Sequence, residues 1–355
     1  MIDNTGNSGV DTRGRCAMLP VNAMSAAPNL KSTAGPRVAV VGCGYWGRNL
    51  VRNFHALGAL AAVADGTEPG RKLAAELAPG VEVVPEFESL LGRSDLDAIV
   101  LATPAVTHGP LGVQALAAGK DLFVEKPMAL SLKDGRELVK LAARHGRMLQ
   151  VGHVLEYHPA VNILRDWIQS GKLGRIGRLH SHRLNFGRVR TEEDALWNVA
   201  PHDFAVMLRI TGQLPEEVSC FASYPLRTAR ADFAIAMLRF PNAVDAHVFA
   251  GWLHPTKEQR LVVVGERGVA VFDDAAPLEQ KLVFYDQRVD LSGPQPQLHK
   301  GVARAEPLPP DEPLRVECLA FLESIRTRRP PLSDGQSGLR VLAVLDACRR
   351  STDHG

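Results

Sequence analysis

The sequence has few cysteines, no long apolar segment and no excess of charge of one sign. Its five cysteines are widely separated and form neither a C-x-x-C pair nor a disulfide framework, so we predict a reducing, cytoplasmic location. No apolar run reaches the roughly 18 to 20 residues that a membrane span requires. Basic residues (41) and acidic residues (39) nearly cancel. Because the basic residues are also scattered, we predict no nucleic-acid or membrane partner.

The remaining composition is that of an ordinary globular protein, with 45% hydrophobic and 23% charged residues. A chain of 355 residues is expected to form two domains, since single cores rarely grow beyond roughly 250 to 300 residues. Residues 1–35 are rich in Gly, Asn, Ser, Ala and Pro without a period, which predicts a disordered N-terminal tail. The predicted partner is a small molecule.

Residues 36–152 alternate short apolar runs with segments of helical spacing, which is typical of βαβ units and a parallel sheet. We therefore predict an N-terminal Rossmann domain, a doubly wound α/β fold of about five strands. The predicted strands are Val38–Val41, Leu60–Ala64, Ala98–Leu101, Leu122–Val124 and Met148–Val151.

Residues 153–355 change to alternating apolar and polar runs, which predict a C-terminal α+β domain for substrate binding and oligomerisation. Its sheet is expected to be open and largely antiparallel, with one face in water. Helices are predicted at about His202–Ile210, Leu314–Ile325 and Leu339–Arg349. The proline-rich stretch Ser292–Pro313 is interpreted as a long loop.

A glycine motif directly follows the first predicted strand and opens a helix. Gly42 permits a tight turn, Gly44 lets the backbone approach a pyrophosphate, and Gly47 allows close packing of the helix on the strand. Asp65 ends the second strand, where its carboxylate is placed to bind the ribose hydroxyls of the adenosine half. Because that carboxylate would repel a 2′-phosphate, the predicted cofactor is NAD, although nearby Arg71 and Lys72 leave NADP open.

Several further segments, taken together with the glycine motif, resemble the Gfo/Idh/MocA oxidoreductase family over nearly the whole chain beyond residue 35. They include Ala102-Thr103-Pro104 with His108, Glu125-Lys126-Pro127, Gly152-His153 with Tyr157, Ala200-Pro201-His202-Asp203, and Gly265-Glu266-Arg267-Gly268. The resemblance implies a cofactor site that contains Gly42, Gly44, Tyr45, Trp46, Gly47, Asp65, Thr103, Pro104, His108, Glu125 and Lys126.

The resemblance also implies that Lys126 and His202 are the catalytic residues. An ammonium group stabilises a developing alkoxide, and an imidazole titrates near neutral pH and can accept the hydroxyl proton. Many relatives carry an aspartate four residues before this histidine, where this chain has Asn198. A neutral amide can orient an imidazole but cannot stabilise its cation as a carboxylate would. No trio of histidines has a metal-like spacing, so no metal is predicted.

Residues 184–202 resemble the branch of nucleotide-sugar 3-dehydrogenases, which implies oxidation of C3 of a UDP-N-acetylhexosamine such as UDP-N-acetylglucosamine. The substrate residues so predicted are Lys126, Tyr157, Asn185, Arg188, Trp197, Asn198 and His202. Arg188, with Arg190, is placed to pair with a diphosphate, although both could equally be solvated. Tyr157 and Trp197 present flat faces for a ring, although core packing would explain them equally well.

Other functions remain open at this point. They are an NADPH-dependent ketosugar reductase, an inositol or other sugar dehydrogenase, an NAD-dependent glycosidase, and a catalytically silent sugar or NAD sensor. Possession of both Lys126 and His202 argues against the sensor. The resemblance further implies a homo-oligomer, a dimer or tetramer.

Overall fold

A six-stranded parallel sheet forms the first half of the fold in the computed structural model, which describes residues 35–354. Its strands are β1 (Val38–Val41), β2 (Leu60–Ala64), β3 (Glu82–Val84), β4 (Ala98–Leu101), β5 (Asp121–Glu125) and β6 (Leu149–Gly152). The order β3-β2-β1-β4-β5-β6 confirms the doubly wound Rossmann prediction. The predicted tail, apart from Gly35, lies outside the described residues.

The five predicted strands are buried apolar runs, whereas the additional strand, β3, has only three residues and lies at the edge of the sheet. That short, partly exposed strand gives almost no periodic signal. The strand order reverses between β1 and β4, so the carboxyl ends of these two strands border a crevice where open α/β sheets bind ligands.

Helices cover the two faces of this sheet. They are α1 (Gly47–Ala56), α2 (Glu68–Leu77), α3 (Glu88–Leu91), α4 (His108–Ala117) and α5 (Leu132–Arg144). Ser131 precedes α5, and its side chain accepts a hydrogen bond from the backbone N–H of Asp134. This N-cap satisfies one of the backbone N–H groups that have no partner in the first turn of the helix.

The second sheet has eight strands in the order β14-β13-β12-β11-β7-β10-β9-β8. They are β7 (Ile176–Phe186), β8 (Glu217–Ser223), β9 (Phe233–Phe240), β10 (Val244–Gly251), β11 (Leu253–Gly265), β12 (Gly268–Asp273), β13 (Leu282–Asp290) and β14 (Gln297–Ala305). Only β7 and β10 pair in parallel, which confirms a largely antiparallel sheet. Three helices pack against strands of this sheet: α6 (Pro159–Gln169), α7 (Ala195–Val199) and α8 (Pro201–Thr211).

The prediction of a long loop at Ser292–Pro313 is wrong. Its central part forms β14, which pairs antiparallel with β13 as an outer hairpin. Eight of the nine β14 side chains are exposed. With both faces of the strand in water, the alternation of apolar and polar residues that would mark a strand is absent, and the flanking prolines dominate the pattern.

Two helices close the chain, α9 (Pro313–Thr327) and α10 (Gly335–His354). Both were predicted to belong to the second domain, yet α9 packs against the first sheet. Phe321 of α9 meets Phe123 of β5 edge to face, with ring centroids 5.6 Å apart. The last segment of the chain therefore completes the core beneath the crevice.

Within residues 35–354, no helix combines the length and apolar character that crossing a bilayer would demand. One face of the second sheet carries the exposed side chains of Phe221, Ile235 and Met237. The homo-oligomer stays a prediction.

Candidate functional site

The loop after β1 is shaped by glycines in the way the motif predicts. Gly42 has a φ of 92°, in the left-handed region, and a Cβ atom there would lie 2.8 Å from the carbonyl oxygen of Ala102. A Cβ atom on Gly47, the first residue of α1, would lie 2.0 Å from the carbonyl oxygen of Gly42. A Cβ atom on Gly44 would instead project into open space. The backbone beside Gly44 is therefore free to approach a phosphate group.

A cleft beside this loop, here called the phosphate-loop cleft, is lined by Cys43, Gly44, Tyr45, Arg48, Asp65, Thr67, Pro69, Gly70 and Leu73. Asp65 accepts hydrogen bonds from the backbone N–H of Cys43 (2.7 Å) and from the N–H and hydroxyl of Thr67 (2.8 and 2.7 Å). Burial alone would raise the pKa of the Asp65 carboxyl, but these hydrogen bonds lower it below its ordinary value. The cleft thus holds a fixed negative charge, which suits a ribose and opposes a 2′-phosphate.

We expect Asp65→Ala to weaken NAD binding by about tenfold or more, because a carboxylate hydrogen bond to a ribose hydroxyl is lost. Asp65→Asn keeps the shape and removes the charge, so it should raise the affinity for NADP relative to the affinity for NAD. Binding titrations with both cofactors measure this, with exposed Glu68→Gln as the control. An unchanged ratio of NAD to NADP affinity in Asp65→Asn would count against the ribose role.

Glu125 connects the phosphate loop to the carboxyl end of β5. The indole N–H of Trp46 donates to Glu125 Oε1 at 2.6 Å, and burial raises the pKa of Glu125 to about 7. This contact fixes the loop beside the next residue, Lys126. The Trp46 side chain also lines the pocket that Lys126 enters.

His108 was predicted to contact the cofactor, but the structure buries it (1% exposed) between two loops. Its Nδ1 lies 2.8 Å from the carbonyl oxygen of Pro127, and its Nε2 lies 2.9 Å from that of Thr103. Because its two ring nitrogens lie against carbonyl oxygens of both loops, and the neutral imidazole donates to one of them, the side chain bridges the loops after β4 and β5. Thr103 and Pro104 begin the first of these loops and are at least partly exposed.

A second pocket, here called the Lys126 pocket, lies where the first sheet meets β7 and α8. It is lined by Trp46, Lys126, Val154, Leu155, Arg183, Leu184, Asn185, Asn198, Val199, His202, Gln259 and Asp274. Four of the predicted substrate residues therefore meet here: Lys126, Asn185, Asn198 and His202. The two predicted catalytic side chains share one cavity although 76 residues separate them in the sequence.

Burial sets the protonation of both catalytic candidates. It lowers the pKa of His202 well below its ordinary value, and the charges of Lys126 and Arg183 lower it further. His202 Nδ1 is buried without a hydrogen-bond partner in the described part of the chain. The Lys126 ammonium donates to the carbonyl oxygen of Asn198 at 2.8 Å; burial lowers its pKa, while Glu125 and Glu193 oppose the change. At neutral pH the His202 imidazole is therefore neutral, and the Lys126 amine donates its hydrogen bond to Asn198 in the same pocket.

Arg183 also lines the Lys126 pocket, although it was not among the predicted site residues. It is 7% exposed on β7, and its Nε donates to Asp203 Oδ2 at 2.5 Å, while Ser181 donates to Asp203 Oδ1 at 2.5 Å. Ser181 and Arg183 occupy alternate, buried positions of the strand. The available signal was an arginine within an alternating apolar and polar run of residues 153–355, because a guanidinium on the buried face of a strand requires a partner.

The other predicted substrate residues lie outside the Lys126 pocket. Tyr157 is buried (5% exposed), and its hydroxyl lies 3.1 Å from the Ser333 hydroxyl. Trp197 is equally buried, with the Arg349 guanidinium 5.6 Å from its ring centroid. Arg188 is exposed in the segment after β7. The rings of Tyr157 and Trp197 therefore pack in the core and Arg188 lies in solvent, and a role of these three residues in substrate binding stays a prediction.

Comparison with known proteins agrees with this geometry. Residues 36–153 match a family model described as an oxidoreductase family with an NAD-binding Rossmann fold, and residues 161–271 match the Gfo/Idh/MocA C-terminal domain. A UDP-N-acetylglucosamine 3-dehydrogenase from Acidithiobacillus ferrooxidans is 29% identical over 87% of this chain and 94% of its own. An inositol 2-dehydrogenase from Burkholderia multivorans is 26% identical over 90% of this chain and 94% of its own length.

Solved structures give the same picture. A structure of UDP-N-acetylglucosamine 3-dehydrogenase from Acidithiobacillus ferrooxidans superposes with a TM-score of 0.77 at 28% identity. The match covers 90% of this chain and 97% of that one.

Proposed function

Because the chain belongs to the Gfo/Idh/MocA oxidoreductase family, we propose that it oxidises the C3 hydroxyl of a nucleotide sugar to a ketone with NAD. The substrate we expect is UDP-N-acetylglucosamine. The observation that carries the proposal is the convergence of Lys126 and His202 on one pocket, at the carboxyl end of β5. Parallel α/β sheets bind ligands at that edge.

His202 acts as the general base in the proposed reaction. Its lowered pKa keeps the imidazole neutral at pH 7, so that it can accept the hydroxyl proton. A bound nicotinamide ring would supply the acceptor for the hydride that leaves the same carbon. In the direction of ketone reduction, the protonated imidazole returns its proton to the oxygen.

Lys126 stabilises the negative charge that develops on the substrate oxygen. Its ammonium group is held at the pocket wall by the Asn198 carbonyl, and its position directly after Glu125 links it to the phosphate loop through Trp46. A charge that is fixed in a partly desolvated pocket stabilises an alkoxide more strongly than the same charge in water.

The rest of the pocket suits a polyhydroxylated substrate. Asn185, Gln259 and Asp274 offer amide and carboxylate groups to sugar hydroxyls, and Arg183 adds a cation beside them. The similarity to a UDP-N-acetylglucosamine 3-dehydrogenase supports C3 of that sugar as the reacting position. The similarity to an inositol 2-dehydrogenase makes free cyclitols the second candidate.

The purified protein should reduce NAD when UDP-N-acetylglucosamine and a ketone-trapping hydrazine are supplied together. NADH absorbance measures turnover, and mass spectrometry of the trapped product locates the ketone at C3. Free N-acetylglucosamine, myo-inositol, and NADPH with a keto sugar are assayed in parallel. Turnover with myo-inositol alone, or only with NADPH and a keto sugar, would replace the proposed reaction. No turnover with any UDP- or dTDP-sugar, cyclitol or keto sugar would favour a sensor.

A further inference from the structure

Asn198 connects Lys126 to a buried carboxylate that lies outside the Lys126 pocket. The backbone oxygen of Asn198 accepts from Lys126 Nζ at 2.8 Å, and its side-chain amide donates to Glu193 Oε1 at 2.6 Å. One residue therefore joins the catalytic ammonium group to Glu193 by two short hydrogen bonds. Asp194 caps α7 by accepting from the N–H of Trp197, which fixes the turn between Glu193 and Asn198.

The Glu193 carboxylate is only weakly neutralised by its surroundings. Its side chain is 10% exposed, and the Nε atom of Arg190 approaches it only to 3.9 Å. Its second oxygen, Oε2, is buried and has no hydrogen-bond partner within residues 35–354. A buried carboxylate in this setting exerts a strong field over short distances, because little solvent or counter-charge screens it.

That field reaches the catalytic lysine. Glu193 raises the pKa of Lys126 and of His108, in opposition to the lowering by burial. The charged or titratable groups that act on Lys126, or on which Lys126 acts, are Glu125, Glu193, Arg190, Arg183, His202, His153 and His108. Among these, only the two glutamates favour the charged ammonium form, and Glu125 has the larger effect. Burial raises the pKa of Glu125 itself to about 7, so part of its charge is lost near neutral pH.

We propose that Glu193 is a positioning residue for catalysis: through Asn198 it holds the carbonyl that receives Lys126, and it supplies the negative charge that the neutral amide at position 198 lacks. Its effect on turnover rests on the function proposed above, whereas its effect on Lys126 does not. Glu193 is not among the residues that line the Lys126 pocket.

Glu193→Gln tests the charge with little change of shape, because a glutamine oxygen can still accept from Asn198. The first readout needs no substrate. The reactivity of the Lys126 amine toward a small acylating reagent is followed against pH by peptide mass spectrometry, with exposed Glu192→Gln as the matched control. We expect the titration of Lys126 to move down by about one pH unit in Glu193→Gln and to stay in place in Glu192→Gln.

A rescue experiment moves the negative charge from position 193 to position 198. Asn198→Asp in the Glu193→Gln background restores one carboxylate to the pair formed by residues 193 and 198. The Lys126 titration should therefore return toward that of the unaltered protein. Asn198→Asp alone places two carboxylates at hydrogen-bonding distance, where they share one proton, so the Lys126 titration should stay near that of the unaltered protein. Glu193→Ala removes the carboxylate without adding a polar group and should lower the Lys126 titration as Glu193→Gln does, which keeps the proposal testable if Glu193→Gln does not fold. Thermal unfolding checks the fold of each variant.

The second readout is the pH profile of kcat/KM. We expect the alkaline limb of this profile to report loss of the Lys126 proton. The pH of that limb should therefore be lower in Glu193→Gln and return in the double variant. In Glu193→Gln, kcat should fall by a larger factor than KM rises. If no sugar is oxidised, the amine titration still decides the role of Glu193. A Lys126 titration that is the same in the unaltered protein, Glu193→Gln and Glu193→Ala would overturn the inference and leave the proposed reaction standing.

Discussion

Lys126→Ala is expected to lower turnover by about a hundredfold or more while leaving NAD binding nearly unchanged. The ammonium group faces the Lys126 pocket and not the phosphate-loop cleft, whose lining holds no part of this side chain. Its loss therefore removes stabilisation from the reacting oxygen and spares the contacts that hold the dinucleotide. Steady-state kinetics with UDP-N-acetylglucosamine and calorimetric titration with NAD measure the two effects separately.

Two comparisons sharpen this expectation. Lys126→Met keeps most of the volume of the side chain and should lose as much turnover as the alanine variant, because the charge is what is required. Lys140→Ala removes an exposed lysine of α5 and should change neither quantity. Turnover close to that of the unaltered enzyme in Lys126→Met would remove Lys126 from the mechanism.

His202→Ala should likewise lower turnover by about a hundredfold or more, and it should also change the pH profile. Because the pKa of His202 lies well below its ordinary value of about 6.5, the imidazole is the competent base above that lowered pKa. Oxidation is therefore expected to stay constant through neutral pH and to fall only as the pH drops through the His202 pKa, below pH 6.5.

In His202→Ala this acid limb should disappear from the profile of kcat/KM, since no base remains to be protonated. His145→Ala, which removes an exposed histidine after α5, should retain both the rate and the limb. If the acid limb persists in His202→Ala at near-normal turnover, another group accepts the proton. Buried His153, whose charge state also acts on His202, would then be the next residue to test.

The features that sequence could predict are those that depend on local pattern. Strands β1, β2 and β4 have continuous apolar runs, and the turn at Gly42 requires a glycine because the Ala102 carbonyl lies where a Cβ atom would be. Strand β14 could not be predicted, because its side chains are solvated on both faces and its stability comes from pairing with β13.

The parts of the site that sequence could not supply depend on contacts between distant segments. Tyr157 lies in a family motif, but its hydroxyl lies within hydrogen-bonding distance of the Ser333 hydroxyl, 176 residues away in the sequence. The side chain therefore does not line the Lys126 pocket. Arg183 enters the pocket because Asp203 of α8 holds it there. Many relatives carry aspartate where this chain has Asn198, and the sequence shows that difference directly. The sequence does not show that the Asn198 side chain binds Glu193, because that contact depends on how the loop before α7 folds.

The most direct test of this account is the structure of the Lys126→Met variant in complex with NAD and the nucleotide sugar. The variant is used because its lack of turnover should keep both molecules intact in the crystal. We predict that the nicotinamide ring lies against the carboxyl edge of the first sheet. The C3 oxygen should lie within hydrogen-bonding distance of the His202 ring and beside the position of the lysine amine. A dinucleotide bound away from the loop at Gly42–Gly47, or a C3 oxygen remote from both side chains, would contradict the account.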